Sequence, residues 1–237
     1  MELVAYSDIA STQDIARQTA LDGHLLPFAV VAETQSAGRG RRGKSWDSPQ
    51  GGLWLTLALA VPSPEAVRQS AMVAAHAVAS VVLTETCVHA LVKWPNDLLV
   101  KRRKVCGILA ETLVQPRTTT LLLGIGLNVN NSIPPDQLPH ATSLREELGH
   151  TIGVERLCHS ILNMVELDIG SLILHGFDTF SRWMDANLAL RGEFVTVRFN
   201  DQRESGRVAG LSRTGALLLK NPDGSLTEVD AGSIYDW

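Results

Sequence analysis

Residues Thr34 to Gly52 read TQSAGRGRRGKSWDSPQGG. Gly38, Gly40, Gly43, Gly51 and Gly52 are interspersed with the basic residues Arg39, Arg41, Arg42 and Lys44. An apolar strand, Phe28 to Ala32, leads in, and an alternating, Leu-rich one, Leu53 to Val61, leads out. A flexible backbone with clustered positive charge is what a loop needs to wrap a phosphate-bearing ligand. Gly38 to Ser45 even matches the phosphate-loop pattern G-x-x-x-x-G-K-[ST]. A true phosphate loop, however, passes from a strand straight into a helix whose N-terminus faces the phosphates. Here Thr34 to Ala37 separate strand from first glycine, and Pro49, Gly51 and Gly52 stand where the helix should grow. The match is an accident of spacing, and the stretch reads as a mobile, basic clasp between two strands.

The surrounding composition makes that clasp stand out. The chain has 237 residues, 45% hydrophobic and 19% charged, with a formal net charge of -4. Such a chain suits one large domain, or a domain with a small appendage, and it carries no global field that would recruit nucleic acid. Cys87, Cys106 and Cys158 are odd in number and widely spaced, which predicts neither a disulfide framework nor a zinc site. The N-terminus, MELVAYSDIA, lacks the basic and apolar regions of a signal peptide. No apolar run is expected to approach the roughly 20 residues of a membrane span. These features predict a cytoplasmic protein that uses neither DNA nor membrane as a partner.

In chain order, Leu3 to Tyr6 predicts a strand, and Ser11 opens a helix to Leu21, with Asp14 placed as in a capping box. Ser63 and Pro64 start a helix over Glu65 to Thr84 whose many small residues predict close packing on a sheet. Val88 to Lys93 and Asp97 to Val100 read as strands around Trp94-Pro95-Asn96, and Val105 to Leu113 with Thr119 to Leu127 as a hairpin. A loop over Asn128 to Ala141 leads to a short helix, Thr142 to Leu148, and then to helices over Val154 to Leu174 and Phe177 to Asn187. From Arg191 the character changes to short strands, Glu193 to Phe199, Arg207 to Leu211, Ala216 to Lys220 and Leu226 to Asp230. This predicts a boundary near Leu190, with residues 1–189 as one domain and 190–237 as a small β-barrel.

Taken singly, the remaining motifs have plain explanations. Ser11 is accounted for by capping, and Lys93 beside Trp94-Pro95 by a surface lysine at a turn. Gly124-Ile125-Gly126 is too short for a dinucleotide fingerprint, although glycines there would let a ligand come close to the strand. The seven histidines show no metal-ligand spacing, and no Ser-His-Asp order is present.

Taken together, STQD at Ser11, ETQSAGRGRRGKSW at Glu33, KWPNDL at Lys93, CGILAE at Cys106 and GIGLNVN at Gly124 form one ordered set. Over nearly its whole length the chain resembles the biotin–protein ligase (biotin–[acetyl-CoA-carboxylase] ligase) family. That resemblance implies an α+β fold: a mixed β-sheet with flanking helices, like class II aminoacyl-tRNA synthetases, followed by an SH3-like β-barrel. It implies ATP and biotin as substrates, Mg2+ as helper, and a biotin carboxyl carrier protein as acceptor. The biotin carboxylate would attack the α-phosphate of ATP, and a carrier lysine would then attack the resulting biotinyl-5′-AMP. Joining two anions requires cations, and no protein nucleophile is needed.

Residue by residue, the resemblance puts Ser11, Thr12, Gln13, Gln35, Arg39, Gly40, Arg41, Lys93 and Gly107 around biotin. It gives Lys93 and Arg39 the catalytic charges, Trp46 and Asn128 to the nucleotide, and no metal ligand to the chain. Two departures stand out. Gln13 occupies a position where the family often has Asn, and the biotin motif begins too early for the helix-turn-helix domain that some members carry. The resemblance thus implies a ligase without a repressor function. Separately, a sheet edge is available for a homodimer, but no residue pattern decides the oligomeric state. A lipoate–protein ligase is the rival enzyme, but its R-R-x-x-G-G pattern is missing, because Arg41-Arg42 is followed at once by Gly43-Lys44.

Overall fold

A computed structural model describes residues 1–236. Strand β1 (Glu2–Ile9), helix α1 (Thr12–Leu21) and strand β2 (Phe28–Gln35) form a crossover unit whose two strands pair in parallel. The other pairings of the main sheet are antiparallel. They join β3 (Leu53–Val61), β4 (Leu91–Lys93), β5 (Asp97–Val100), β6 (Arg103–Val114) and β7 (Thr119–Leu127) in the order β1-β2-β3-β7-β6-β5-β4. The free side of β4 is not left open, since Val92 exchanges backbone hydrogen bonds with Asn187 and Ala189.

The period of two along a strand divides the sheet's faces. Leu53, Leu55, Leu57 and Leu59 of β3 and Leu121, Leu123 and Ile125 of β7 enter the main core. That core is closed by α2 (Ser70–Thr86), α4 (Val154–His175) and α5 (Asp178–Ala186). Ala74, Ala75, Ala77 and Ala79 of α2 are all buried, as its small residues predict. The other face is only partly covered. Ala16 and Ala20 of α1 sit on Phe28, Val30, Ala58 and Leu122 in a small second core. Beyond that cap the same face is left to Trp54 and Thr56 on β3, Gly124 and Gly126 on β7, and Gly107 and Leu109 on β6.

Several expectations need correction. β3 does not alternate between core and solvent, because both its faces are covered. The helix expected from Glu65 is broken: Glu65–Val67 is a 3-10 turn, capped where the Ala66 N–H donates to Ser63 Oγ at 3.3 Å, and α2 begins only at Ser70. Ser11 does stand at the N-cap of α1 but makes no capping hydrogen bond, and Asp14 instead pairs with Arg39. The segments Glu65–Thr86 and Val154–His175 are each long and apolar enough to cross a membrane by composition, contrary to the expectation that no run was. In the fold most of their apolar residues pack in the main core on the sheet and on each other, while Leu83, Leu167 and Leu174 are exposed.

After the helices, Leu190 and Gly192, with φ of 64° and 79°, turn the chain into a second sheet. It contains β8 (Phe194–Phe199), β9 (Gln202–Leu211), β10 (Leu217–Lys220), β11 (Leu226–Val229) and β12 (Ser233–Asp236) in the antiparallel order β11-β10-β9-β8-β12. This is the small β unit the sequence predicts, with one extra strand, β12. Its edge strands β11 and β12 do not pair among the described residues, so the barrel-like sheet is not closed by hydrogen bonds. Val195, Val197, Val208, Leu217 and Ile234 join the main core, so the unit is packed on the first sheet's layer of helices.

The short helix α3 (Leu144–Leu148) is capped by Ser143, whose hydroxyl accepts from the Glu146 N–H. Within it Glu147, 3% exposed at its side chain, receives Lys101 at 2.9 Å and Thr142 at 2.8 Å, and it pairs with Arg103. Burial alone would push the Glu147 carboxyl up. The hydrogen bonds from Lys101, Thr142 and Arg103 and the charge of Lys101 outweigh it and hold the group below its ordinary 4.5. A folded-state value below the unfolded one means that the stabilisation is present above about pH 4.5 and is lost as pH falls through the lowered value. Glu147→Gln should therefore cost roughly 1–3 kcal/mol at pH 7. It should also flatten the loss of stability below pH 4.5. Urea melts of both proteins at neutral and acid pH measure this.

Candidate active site

The register of the central strands opens the site. Thr56 lies opposite Gly124, Gly124 opposite Leu109, and Gly126 opposite Gly107. Three glycines on one face remove the side chains that would otherwise fill the gap between α1 and the clasp. The result is a cavity of about 420 Å³ with an apolar floor of sheet and a polar, basic rim. A second hollow of about 810 Å³ adjoins it and shares Lys93, Asp97, Lys104 and Tyr235 with it.

At the α1 end the cavity wall is a hydrogen-bonded chain. Gln35 Oε1 accepts from the Thr12 backbone N–H at 2.8 Å and from the Thr12 hydroxyl at 3.1 Å, and its Nε2 donates to Ser48 at 2.8 Å. The Thr56 hydroxyl lies 2.9 Å from Thr12 Oγ1 and 3.2 Å from Gln13 Oε1. Gln13 Nε2 donates to Glu111 at 3.1 Å. Ser11 is 1% exposed, and its hydroxyl has no hydrogen-bond partner among the described residues. That hydroxyl is a hydrogen-bonding group on the cavity wall.

The clasp is folded over the opposite end. Isolated bridges pair Gln35 with Ser48 and Arg39 with Ser45, and a 3-10 turn, Arg41–Gly43, makes its tip. No helix follows Lys44, so the rejection of a phosphate loop agrees with the structure. Arg42, at φ 57°, and Gly43, at φ 72°, take the left-handed turn that a hairpin this tight requires. Arg39 reaches Asp14 at 2.6 Å and Glu111 at 3.0 Å. Arg41 points inward and donates to Asn96 Oδ1 at 2.8 Å and to the Gly232 carbonyl at 3.0 Å, while Arg42 donates to the Arg198 carbonyl. Arg198 lies on β8 and Gly232 immediately before β12, so the clasp bridges both parts of the molecule. Tyr235 adds to this bridge, with Lys44 at 5.4 Å and Arg198 at 4.2 Å from its ring.

The charges in the cavity do not balance. Arg39, Arg41, Arg42, Lys44, Lys93 and Lys104 line it, against one carboxylate, Asp97, among the described residues. Lys104 lies 2.7 Å from Asp97. Burial lowers the Lys93 ammonium, Asp97 opposes that shift, and Lys104 and Lys44 add to it, leaving a net lowering. Burial also lowers Arg41, with Arg42 reinforcing and Asp97 opposing. Glu111 moves the other way: burial would raise it, but hydrogen bonds from Arg17 and Gln13 and the charges of Arg39 and Arg17 hold it below its ordinary range.

Most of the residues singled out in the sequence thus meet in one place: Ser11, Thr12, Gln13, Gln35, Arg39, Gly40, Arg41, Trp46, Lys93 and Gly107 all line the cavity. Asn128, expected near the nucleotide, does not. Its side chain donates to the Thr142 carbonyl at 3.0 Å and accepts from Asn131 at 3.1 Å, which fixes the loop entering α3. Gly107 faces the Trp46 indole, 2.9 Å from where a Cβ would stand, rather than open space. Reading the residues missed Thr56, Asn96, Glu111, Lys104 and strand β12, whose Ser233, Ile234 and Tyr235 reach the cavity. Asn96 and Glu111 lay within quoted motifs, but their partners are far apart in sequence and left no local signal.

Residues 7–130 match the model of the biotin/lipoate A/B protein ligase family, and residues 192–235 match that of the biotin protein ligase C-terminal domain. The chain belongs to this biotin/lipoate A/B protein ligase family. It is 30% identical over 228 residues to a bifunctional ligase/repressor BirA of Bacillus subtilis, covering 94% of this chain and 70% of the relative. It is 31% identical over 204 residues to a biotin–[acetyl-CoA-carboxylase] ligase of Paracoccus denitrificans, covering 82% and 85%. Its fold is similar to that of a biotin protein ligase from Aquifex aeolicus in complex with biotin and ATP, with a TM-score of 0.85, 27% identity, and 99% and 97% of the two chains covered.

Trp46 supplies a test of this geometry. Its indole lies over Gly126, whose Cβ, if present, would be 2.5 Å from Nε1, and Lys104 sits 4.9 Å from its ring. Gly126→Val should drive the indole off the sheet, with a loss of about 1–3 kcal/mol from overpacking. The tryptophan emission should shift on this substitution, and the shift should vanish in a Trp46→Phe background. An unchanged spectrum would show that the ring does not rest there.

Proposed function

We propose that the protein is an ATP-dependent biotin–protein ligase: it activates biotin to biotinyl-5′-AMP and transfers biotin to one lysine of a carrier protein. The observation that carries this reading is the pairing, in one cavity, of six cations and a hydrogen-bonding wall built from Ser11, Thr12, Gln13 and Gln35. A carboxylate and a triphosphate repel each other, and the cations lower the cost of bringing them together. Lys93 and Arg39 neutralise the reacting anions in this reading. Arg41 and Gly40 close over the adenylate, and Trp46 with its bound lysine forms the side wall. Ser11, Thr12, Gln13 and Gln35 hold the ring end of biotin.

In the first step a biotin carboxylate oxygen bonds to the α-phosphorus and pyrophosphate leaves. In the second a carrier lysine, as the neutral amine, attacks the acyl carbon of the mixed anhydride and AMP leaves. Positioning supplies much of the acceleration in both steps. ATP enters as its magnesium complex. Asp97 is the cavity carboxylate that would face that ion, in keeping with magnesium's habit of binding through one or two carboxylates plus substrate phosphates. We assign residues 1–189 to the activating domain and 190–237 to the smaller one, which contributes to the clasp through Gly232 and Tyr235.

Purified protein with biotin, MgATP and an apo carrier domain should biotinylate a single lysine. Lipoate run in parallel, with lipoyl transfer and no biotin transfer, would overturn the reading. Lys93→Ala should lower adenylate synthesis by at least about a hundredfold, as loss of a preorganised charge does, with an unchanged melting temperature. Arg41→Gly removes the bonds to Asn96 and Gly232. It should release adenylate, seen as biotin on lysines of unrelated proteins, and absence of such labelling would remove the clasp's retaining role.

A further inference from the structure

Glu111 does not line the cavity, yet its carboxylate holds two side chains that do, Gln13 and Arg39. Its effect on Gln13 follows from counting donors and acceptors. Gln13 Nε2 donates to Glu111 Oε2 at 3.1 Å and to the Leu122 carbonyl at 3.4 Å. An ionised carboxylate and a carbonyl can only accept, so the amide nitrogen must be the end that faces them. Arg17 at 2.8 Å and Arg39 at 3.0 Å keep Glu111 in that ionised, accepting form.

The other end of the amide, Oε1, is thereby turned over Gly124, 2.7 Å from where a Cβ would stand. Gly124 is part of the cavity floor. The Thr56 hydroxyl approaches this oxygen at 3.2 Å but lies closer, at 2.9 Å, to Thr12 Oγ1, and one hydrogen cannot serve both. The Thr12 hydrogen is directed to Gln35. Gln13 Oε1, in a side chain 3% exposed, has two acceptor lone pairs and at most the shared Thr56 hydrogen for one of them, so it keeps acceptor capacity at the cavity wall.

We propose that Glu111 is a specificity-positioning residue. By claiming the amide nitrogen of Gln13, it makes the cavity present an acceptor to the ring end of the substrate. The acid that fits carries an N–H donor there, as a cyclic urea does. A dithiolane acid has no such donor and leaves the remaining lone pair of the buried Gln13 oxygen unpaired, which is how a hydrogen-bonding site rejects an analogue. A flipped Gln13 would set its oxygen against the Glu111 carboxylate and the Leu122 carbonyl, three acceptors together. This inference rests on the biotin reading above and adds the residue that separates biotin from lipoate.

The test is pyrophosphate exchange with biotin or lipoate on Glu111→Gln, Glu111→Asp and Gln13→Ala proteins, each checked by a thermal melt. Glu111→Asp keeps the charge for the long arginines but falls about one methylene short of Gln13, and it guards against a Gln variant that fails to fold. Both Glu111 variants should raise the biotin KM about tenfold, the scale of one hydrogen bond. The ATP KM should stay within about twofold, and the preference for biotin over lipoate should fall about tenfold or more. In a Gln13→Ala background Glu111→Asp, which keeps the charge that holds Arg39, should move the biotin KM by less than about twofold, since the amide it orients is gone. Wild-type biotin KM in Glu111→Asp, or an equal rise with and without Gln13, overturns the positioning role alone. Wild-type protein that activates lipoate but not biotin overturns both this role and the reading it rests on.

Discussion

The molecule depends on a missing row of side chains in the middle of a packed sheet. Strands β3 and β7 are largely buried, as is β6 at Val105, Cys106 and Ile108, and their Leu and Ile residues on one face are pressed against α2 and α4. That burial sets the register strongly, because a slip of one residue would turn every one of those side chains to the wrong face. The same register places Gly107, Gly124 and Gly126 side by side on the opposite face. Glycines weaken a strand and are kept where something must approach the backbone closely. Here the approaching groups are the Gln13 amide over Gly124 and the Trp46 indole over Gly126 and Gly107. The helical core thus holds the sheet in place for a trough that contributes little to stability itself.

Charge is distributed with the same asymmetry. Six cations gather around one carboxylate, and the lowered values of Lys93 and Arg41 record the cost of burying them near one another. A polyanion entering the cavity relieves that repulsion, so binding energy and the neutralisation of reacting charge come from the same source. The arginines are held in different ways. Arg39 bonds carboxylates at the half-exposed rim, where an ion pair contributes about 0–1 kcal/mol and exchanges readily for a new anion. Arg41 bonds a neutral amide and a carbonyl, which orient the guanidinium without cancelling its charge. The clasp is therefore shaped by its neutral partners and remains positive toward the cavity.

Much of this was legible in residues. The apolar period revealed the strands of the main sheet and the long helices, and the glycines and arginines of 38–44 marked the clasp. Errors fell where local pattern and tertiary context disagree. The break after Val67 lies in a run that is helical by composition, and Ser11 looks like a cap but keeps its hydroxyl for the cavity. Asn128 sits at a motif's end yet is consumed by Thr142 and Asn131. Strand β12 is four residues following Asp230-Ala231-Gly232, too short for a period to emerge.

The sequence by itself determined the two-part organisation, the strand-and-helix order and the identity of the basic clasp, because these follow from local propensity, periodicity and charge. Only the tertiary structure decided which groups meet. Gln13 reaches Glu111 across 98 positions, Arg41 reaches Gly232 across 191, and Lys104 of β6 comes to rest against Trp46 of the clasp. The physical reason is that strand pairing sets distances between residues whose spacing along the chain carries no information. A side chain's role in this site is decided by the neighbour that the sheet brings to it.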